Sequence, residues 1–378
     1  DPIDAYLGQA NGTSTSLVAP SITATVPNTT LVAFYAVRDD GAVTPPTGMT
    51  ERWDVASNQG GGAVGEAIAE GSDEQLANAG PTGTRTATAE ASDGSIGHLV
   101  TLKPDYFTVN STADVVDNNI GDGSCDTGNL VGPDPECTLR AAIQEANASA
   151  IDEITLPAGT YTLTIPGAGE DSAMTGDLDL DSNITITGAG AATTTVNAGG
   201  IDRVFHLLSG TATVTGVTLT GGSVTGNGGA VMVEWGLTLN IAQSILVGNN
   251  ASGDGGAIQN QGILNLTDSE VSTNGAVSGG GIRSNNTATL TRTLFTSNTA
   301  SVGAAVRNTG DLTIFSSTLT GNTASTQGGG IGNSGDMWLT NATITANDAS
   351  AEGGGIFEAS GGHNTFPLHS IIAGNTAG

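Results

Sequence analysis

At 378 residues the chain has room for two ordinary domains, or for one domain and a repeat array. Its 57 glycines, 12% charged residues and 4% aromatic residues argue against an ordinary helical or α/β enzyme, which carries far more Leu, Lys and Glu. A net charge of −28, with Lys103 the single lysine, argues against nucleic acid and anionic membrane surfaces as partners and leaves divalent cations as suitable ones.

Abundant Thr, Val and Ile favour pleated surfaces, so an all-β protein is expected. No apolar run is long enough to span a bilayer and no leader is visible, so the numbering is expected to start on a processed or truncated chain. Cys125 and Cys137, twelve positions apart in an acidic stretch, predict one disulfide and an oxidising compartment. The alternative, a zinc site, lacks a nearby histidine.

Residues 1–105 read as a β-sandwich module: short alternating segments at 16–18, 22–26, 31–37, 63–68, 84–89 and 98–102 are separated by polar turns. Within it, the stretch 45–52 resembles a module found in tandem in bacterial secreted proteins, which implies location and no chemistry. Residues 106–151 form a junction. An acidic loop over 114–136, closed by the two cysteines, leads into a helix over 137–147. There Leu139, Ile143 and Ala146 share one face, as an amphipathic cap needs.

From 152 to 378 a repeat takes over. A glycine-rich step ends on Val231, Ile258, Ile282, Val306, Ile331 and Ile356, at spacings of 27, 24, 24, 25 and 25. Asn249, Asn274, Asn298, Asn322, Asn347 and Asn375 keep the same beat, as do Leu219, Leu246, Val271, Phe295, Leu319, Ile344 and Ile372. Between the markers apolar residues alternate, as in Leu264/Leu266 and Leu312/Ile314. About 25 residues per coil with three short strands predicts a right-handed parallel β-helix. The Asn ladder is expected at a turn, bonding between coils and supplying a left-handed corner. The helix then covers the unpaired edge of the first coil, and the opposite end, stopping just after Asn375, is expected to continue or to meet a partner.

Cys137-Thr138-Leu139-Arg140-Ala141-Ala142, with Glu145-Ala146-Asn147 after it, resembles the Cys-Ser-Leu-Arg-Glu-Ala motif ahead of a β-helix in a family of extracellular bacterial proteins. Thr replaces Ser and Ala replaces Glu. Asp202-Arg-Val-Phe-His206 and the Gly-Gly-Ala-Ile and Asn-Thr-Ala repeats are similar to that family and to polymorphic outer-membrane protein repeats. The resemblance spans about 108–378 and implies a pectate-lyase-like β-helix on a secreted surface protein, without catalytic residues.

Candidate chemistry is sparse. Asp114, Asp117, Asp122 and Asp126 lie in a loop able to wrap Ca²⁺. Asp177, Asp179 and Asp181 alternate with Leu178 and Leu180, a weaker Ca²⁺ set because strand spacing holds neighbouring carboxylates nearly 7 Å apart. Arg283 and Arg307 share a coil position, and Asp268 and Arg292 read as a salt bridge between rungs. Trp338 and Trp235 point outward, where rings stack on glycans. His98, His206, His363 and His369 read as scattered. With no facing carboxylate pair visible, the expectation is no enzyme and no required cofactor. The first reading is an extracellular structural or adhesive surface protein, a fibre subunit binding further copies of itself. The alternative is a β-helix that binds or cleaves polysaccharide, with glycans as partners.

Overall fold

Strict alternation of apolar and polar residues lets one chain build two kinds of sheet here. The structure is a computed structural model that describes residues 3–26, 29–38, 41–57, 67–104, 106–149, 152–359 and 364–378. The chain divides into two units, Asp1–Asp105 with Asn129–Pro135, and Tyr106–Gly128 with Glu136–Gly378.

The first unit is an antiparallel sheet in the order Ile3–Ala19, Arg85–Leu102, Thr29–Val37, Ile68–Leu76, Thr50–Ala56. Val43–Thr44 also pairs with Arg85–Leu102, and Thr23–Ala24 pairs separately with Gly80–Pro81. Leu31, Ala33, Tyr35 and Val37 alternate into its core with Leu17, Ile68, Ala87 and Leu99. Glu70 is buried directly opposite Tyr35.

The second unit is the parallel β-helix. Three sheets of ten, nine and eight strands run along it, every pairing parallel and each strand bonded to its counterparts in the neighbouring coils. The first sheet includes Thr238–Ala242, Ile263–Thr267 and Asp336–Thr340; the second Ile245–Val247 and Glu270–Ser272; the third Leu178–Leu180, Phe205–Leu207 and Val231–Val233. Leu239/Ile241, Leu264/Leu266, Leu312/Ile314 and Met337/Leu339 point inward from the first sheet, and Leu219 through Ile344 from the second, all wholly buried. These ladders form one continuous core. No helix of the described residues is long and apolar enough to cross a membrane.

The Asn ladder lies inside. Each of Asn274, Asn298, Asn322 and Asn347 accepts at Oδ1 from the backbone N–H and the side-chain amide of the Asn one rung earlier, at 2.8–3.1 Å. The left-handed residue is not the Asn, as expected, but the one before it: Gly248, Thr273, Ser297, Gly321, Ala346 and Gly374 have φ between 54° and 68°. A stacked ladder holds a non-glycine there although the conformation costs about 1–2 kcal/mol. Asn260, Asn308 and Asn333, interleaved with Ser284, form a second buried polar ladder in the third sheet.

The helix Leu139–Ala148 packs against Leu178–Leu180 and Glu153–Leu156. Thr138 caps it, its hydroxyl accepting from Ala141 N–H and donating to Val115 O at 2.6 Å. It is buried over Leu139–Ala146 and not on one face alone. Its polar residues hold the surrounding loops: Gln144 Oε1 accepts from Asp117 N–H, Glu145 accepts from Gly121 and Gly123 N–H, and Asn147 bonds Asp179 O and Asp181 N–H. Arg140, wholly buried, pairs with Asp114 at 2.6 Å and donates to the carbonyls of Ala173, Gly176 and Asp177. The predicted Cys125–Cys137 disulfide is present, with Cα atoms 5.1 Å apart.

Candidate functional site

Side chains of the third sheet that point away from the core form one outward row. Strand register aligns Asp179 with His206, His206 with Met232, Gln259 with Arg283, and Arg283 with Arg307. At the first rungs this row carries charge. His206 Nδ1 lies 3.6 Å from Asp179 Oδ1 and 3.9 Å from Asp171 Oδ1, and Nε2 lies 3.2 Å from Glu234 Oε1. Arg203 holds Asp177 at 2.6 Å, and Asp202 is buried between the same rungs.

The connection over 163–177 brings this about. It folds over Asp177 and Asp179, so these carboxylates are 1% and 0% exposed where the alternation places them on a solvated face; only Asp181 is exposed. The loop closes by its own bonds: Glu170 accepts from Ser172 and Thr175 N–H, and Gly176 N–H reaches Ile165 O. Gly176, at φ 62°, has no room for a Cβ, which would stand 2.2 Å from Gly167 O. Ala173 N–H donates to Asp179 Oδ2 at 2.7 Å.

Burial dominates the electrostatics. It pushes Asp177 up to about 6 against the pull of Arg203, with Asp202 and Asp179 adding to the rise. For His206 burial opposes protonation, but Asp179 and Glu234 outweigh it and raise the imidazole above its ordinary value. His206, set aside as scattered in the sequence, is therefore the centre of the cluster. The signal was there: it follows Asp179 by one coil of 27 residues.

The acidic loop does something else. Asp114 pairs with Arg140 and accepts from Thr164 and Ile165 N–H. Asp117 accepts from Asn119 and Asp126 N–H, Asp122 from Ser124 N–H and Asp126 from Gly128 N–H. The loop does not bring three of these carboxylates together. Among the described residues, the one such group whose ligand atoms lie within 4.8 Å of each other is Asp171, Asp179 and His206.

The predicted rung bridge is present, Arg292 gripping Asp268 with two bonds of 2.5 and 2.7 Å. Arg283 and Arg307 stack as expected; Arg283 reaches Ser278 and Asn285, and Arg307 reaches Gly332 O and Ser334. His369 sits at a left-handed corner, and His363 lies outside the described residues.

Trp338 points outward from the first sheet as predicted. In the next rung Phe366 stacks on it, ring centres 5.7 Å apart and planes 14° from parallel. Phe315, one rung earlier and two residues along, is also exposed. Before this flat apolar patch the same outward row carries Thr213, Asn240, Asn265, Thr289 and Thr313. Trp235 is exposed at a corner, next in sequence to Glu234.

No family profile and no curated protein matches the chain. Solved structures do, all of them catalytic domains of GH87 α-1,3-glucanases. One, in complex with tetrasaccharides, has 13% identity and a TM-score of 0.34, covering 100% of this chain and 75% of its own. A second tetrasaccharide complex has 11% identity and a TM-score of 0.29, covering 92% and 72%. The catalytic unit from Streptomyces thermodiastaticus strain HF3-3 has 14% identity and a TM-score of 0.19, covering 99% and 95%. The expectation that the chain is no enzyme is withdrawn, because the solved structures found are catalytic domains of glycoside hydrolases. At these scores the likeness assigns neither activity nor substrate.

Proposed function

We propose that the chain is a carbohydrate-active β-helix protein whose first sheet binds a neutral polysaccharide. The observation that carries this reading is the exposed Trp338–Phe366 stack continued by a row of Thr and Asn side chains. Near-coplanar rings offer the flat apolar surface that a sugar face covers, and hydroxyl and amide groups beside them bond its rim. An exposed apolar patch with a polar border marks a binding surface more often than a structural accident. The net charge of −28 selects a neutral chain over a polyanion. The disulfide supports an extracellular location, where such polymers are met. Adhesive and fibre-forming readings have no supporting observation and are not carried forward.

The test is retention on a panel of neutral glycans (α-1,3-glucan, α-1,4-glucan, β-1,3-glucan and cellulose), with polygalacturonate as the polyanion. Release of reducing ends is read in parallel. Retention on a neutral member is expected, with Trp338→Ala and Phe366→Ala each weakening it about tenfold, the value of roughly 1–1.5 kcal/mol for a stacked ring. Absence of retention on every neutral glycan, or retention unchanged in both variants, sinks the proposal.

A further inference from the structure

The cluster around His206 carries an inference independent of the glycan surface. Asp179 Oδ1 belongs to a wholly buried side chain, faces the imidazole, and has no hydrogen-bond partner among the described residues. Its 3.6 Å separation from Nδ1 is too long for a hydrogen bond. A buried carboxylate oxygen left in that state is costly unless a cation completes it. Asp171 supplies a second carboxylate oxygen at 3.9 Å from the same nitrogen, and the three atoms lie within 4.8 Å of one another. Zinc bonds of about 2.0–2.2 Å put tetrahedral ligand atoms roughly 3.3–3.6 Å apart, so small movements close the set on one ion.

Outer contacts fit as well. Glu234 Oε1 lies 3.2 Å from Nε2, so that nitrogen has its own partner and Nδ1, facing the two aspartates, is the one that would bind the ion. Ala173 N–H fixes the other oxygen of Asp179. One nitrogen and two oxygens suit a first-row transition ion, whereas Ca²⁺ takes six to eight oxygens. Asp171 is 70% exposed on its side chain, so the remaining coordination position opens to solvent.

We propose that Asp171, Asp179 and His206 bind a divalent transition-metal ion of the Zn²⁺ class, with Glu234 orienting the histidine. The full chain, stripped with chelator and desalted, is titrated with Zn²⁺ by calorimetry, and Co²⁺ absorption reports the coordination geometry. One equivalent is expected, with His206→Gln abolishing binding and the Co²⁺ bands. Asp171→Asn, a change on an exposed side chain that leaves the fold intact, is expected to weaken binding at least about tenfold. Glu234→Gln is expected to weaken it about 10–100-fold, the usual effect of removing an outer partner. Asp181→Asn, exposed just beyond the end of the same strand, leaves binding unchanged. The proposal is overturned by the absence of stoichiometric Zn²⁺ binding, by an equivalent that survives both His206→Gln and Asp171→Asn, or by displacement with millimolar Ca²⁺.

Discussion

Asn322→Ala removes a side chain that is wholly buried between two rungs. Its Oδ1 accepts from Asn298 N–H at 3.0 Å and from Asn298 Nδ2 at 2.9 Å. Its Nδ2 donates to Phe295 O, Thr320 O and Asn347 Oδ1. After truncation the Asn298 backbone N–H has no acceptor and no water to replace it, a cost of about 1–3 kcal/mol by itself. The other four lost bonds add roughly 0.5–1 kcal/mol each, so the total is about 3–7 kcal/mol. Asn375→Ala removes bonds of the same kind to Asn347 and Ile344, but from a partly exposed residue where water substitutes. About 1 kcal/mol is expected there. Urea unfolding followed by circular dichroism measures the difference, and hydrogen exchange locates it. Because a coil contacts only its neighbours, lost protection in Asn322→Ala should concentrate over 294–345. Equal costs for the two variants, or less than about 1 kcal/mol for Asn322→Ala, would refute the reasoning.

Arg140→Lys keeps the charge but not the fork that serves Asp114 and three carbonyls at once. A loss of about 3–5 kcal/mol is expected in chemical denaturation, as for other broken buried pairs; a variant within 1 kcal/mol of the parent would show the pin to be dispensable. Burial raises Glu70 from 4.5 to about 7, Ser72 opposing the shift and Glu51 and Asp54 adding to it. The folded first unit thus keeps a proton that the unfolded chain has lost, and this stabilisation is complete below about pH 4.5 and lost as pH rises through 7. The loss is about 3 kcal/mol at most. Glu70→Gln should flatten that slope in thermal scans of the first unit between pH 5 and 8, and equal slopes in the two proteins would show Glu70 not to be its source.

The solenoid was legible because its core ladders are chemically uniform. Leu264/Leu266 and Leu312/Ile314 repeat type as well as position, and a period near 25 with internal alternation admits few other folds. The Asn ladder could be read as a ladder for the same reason. Its burial could not, because Asn is common at turns and the left-handed corners fell to Gly, Thr, Ser and Ala in turn, a set with no shared signature. The second polar ladder was hidden by its mixture of Asn260, Ser284, Asn308 and Asn333 where apolar residues were sought. Thr138 and Arg140 stood out as a motif, but neither the cap nor the buried pair with Asp114 can be seen until the chain over 114–177 closes around them. An acidic loop reads as a cation site from sequence because the chain alone does not show that backbone amides, the Asn119 side chain and Arg140 bond its carboxylates.

The His206 cluster was missed for a related cause: it lies where the repeat fails. Connections from the second sheet to the third mostly keep to 9 or 10 residues, as at 221–230, 248–257 and 273–281. In the early coils the connection over 163–177 has 15 residues and the next, over 198–204, has 7. A long loop therefore overhangs a rung whose own loop is short. That difference lets Asp171 reach His206 one coil away and shuts Asp179 beneath it. A regular coil exposes its outward row evenly and cannot make such a recess. Regular coils set the position of every strand, and the departure from regularity creates a site. In a solenoid sequence, then, adjacent coils of unequal connection length that carry His, Asp or Glu at the outward position are the place to look for chemistry. Here the rule selects Asp179 and His206, 27 residues apart, from a chain in which 37 acidic residues offer little other guidance.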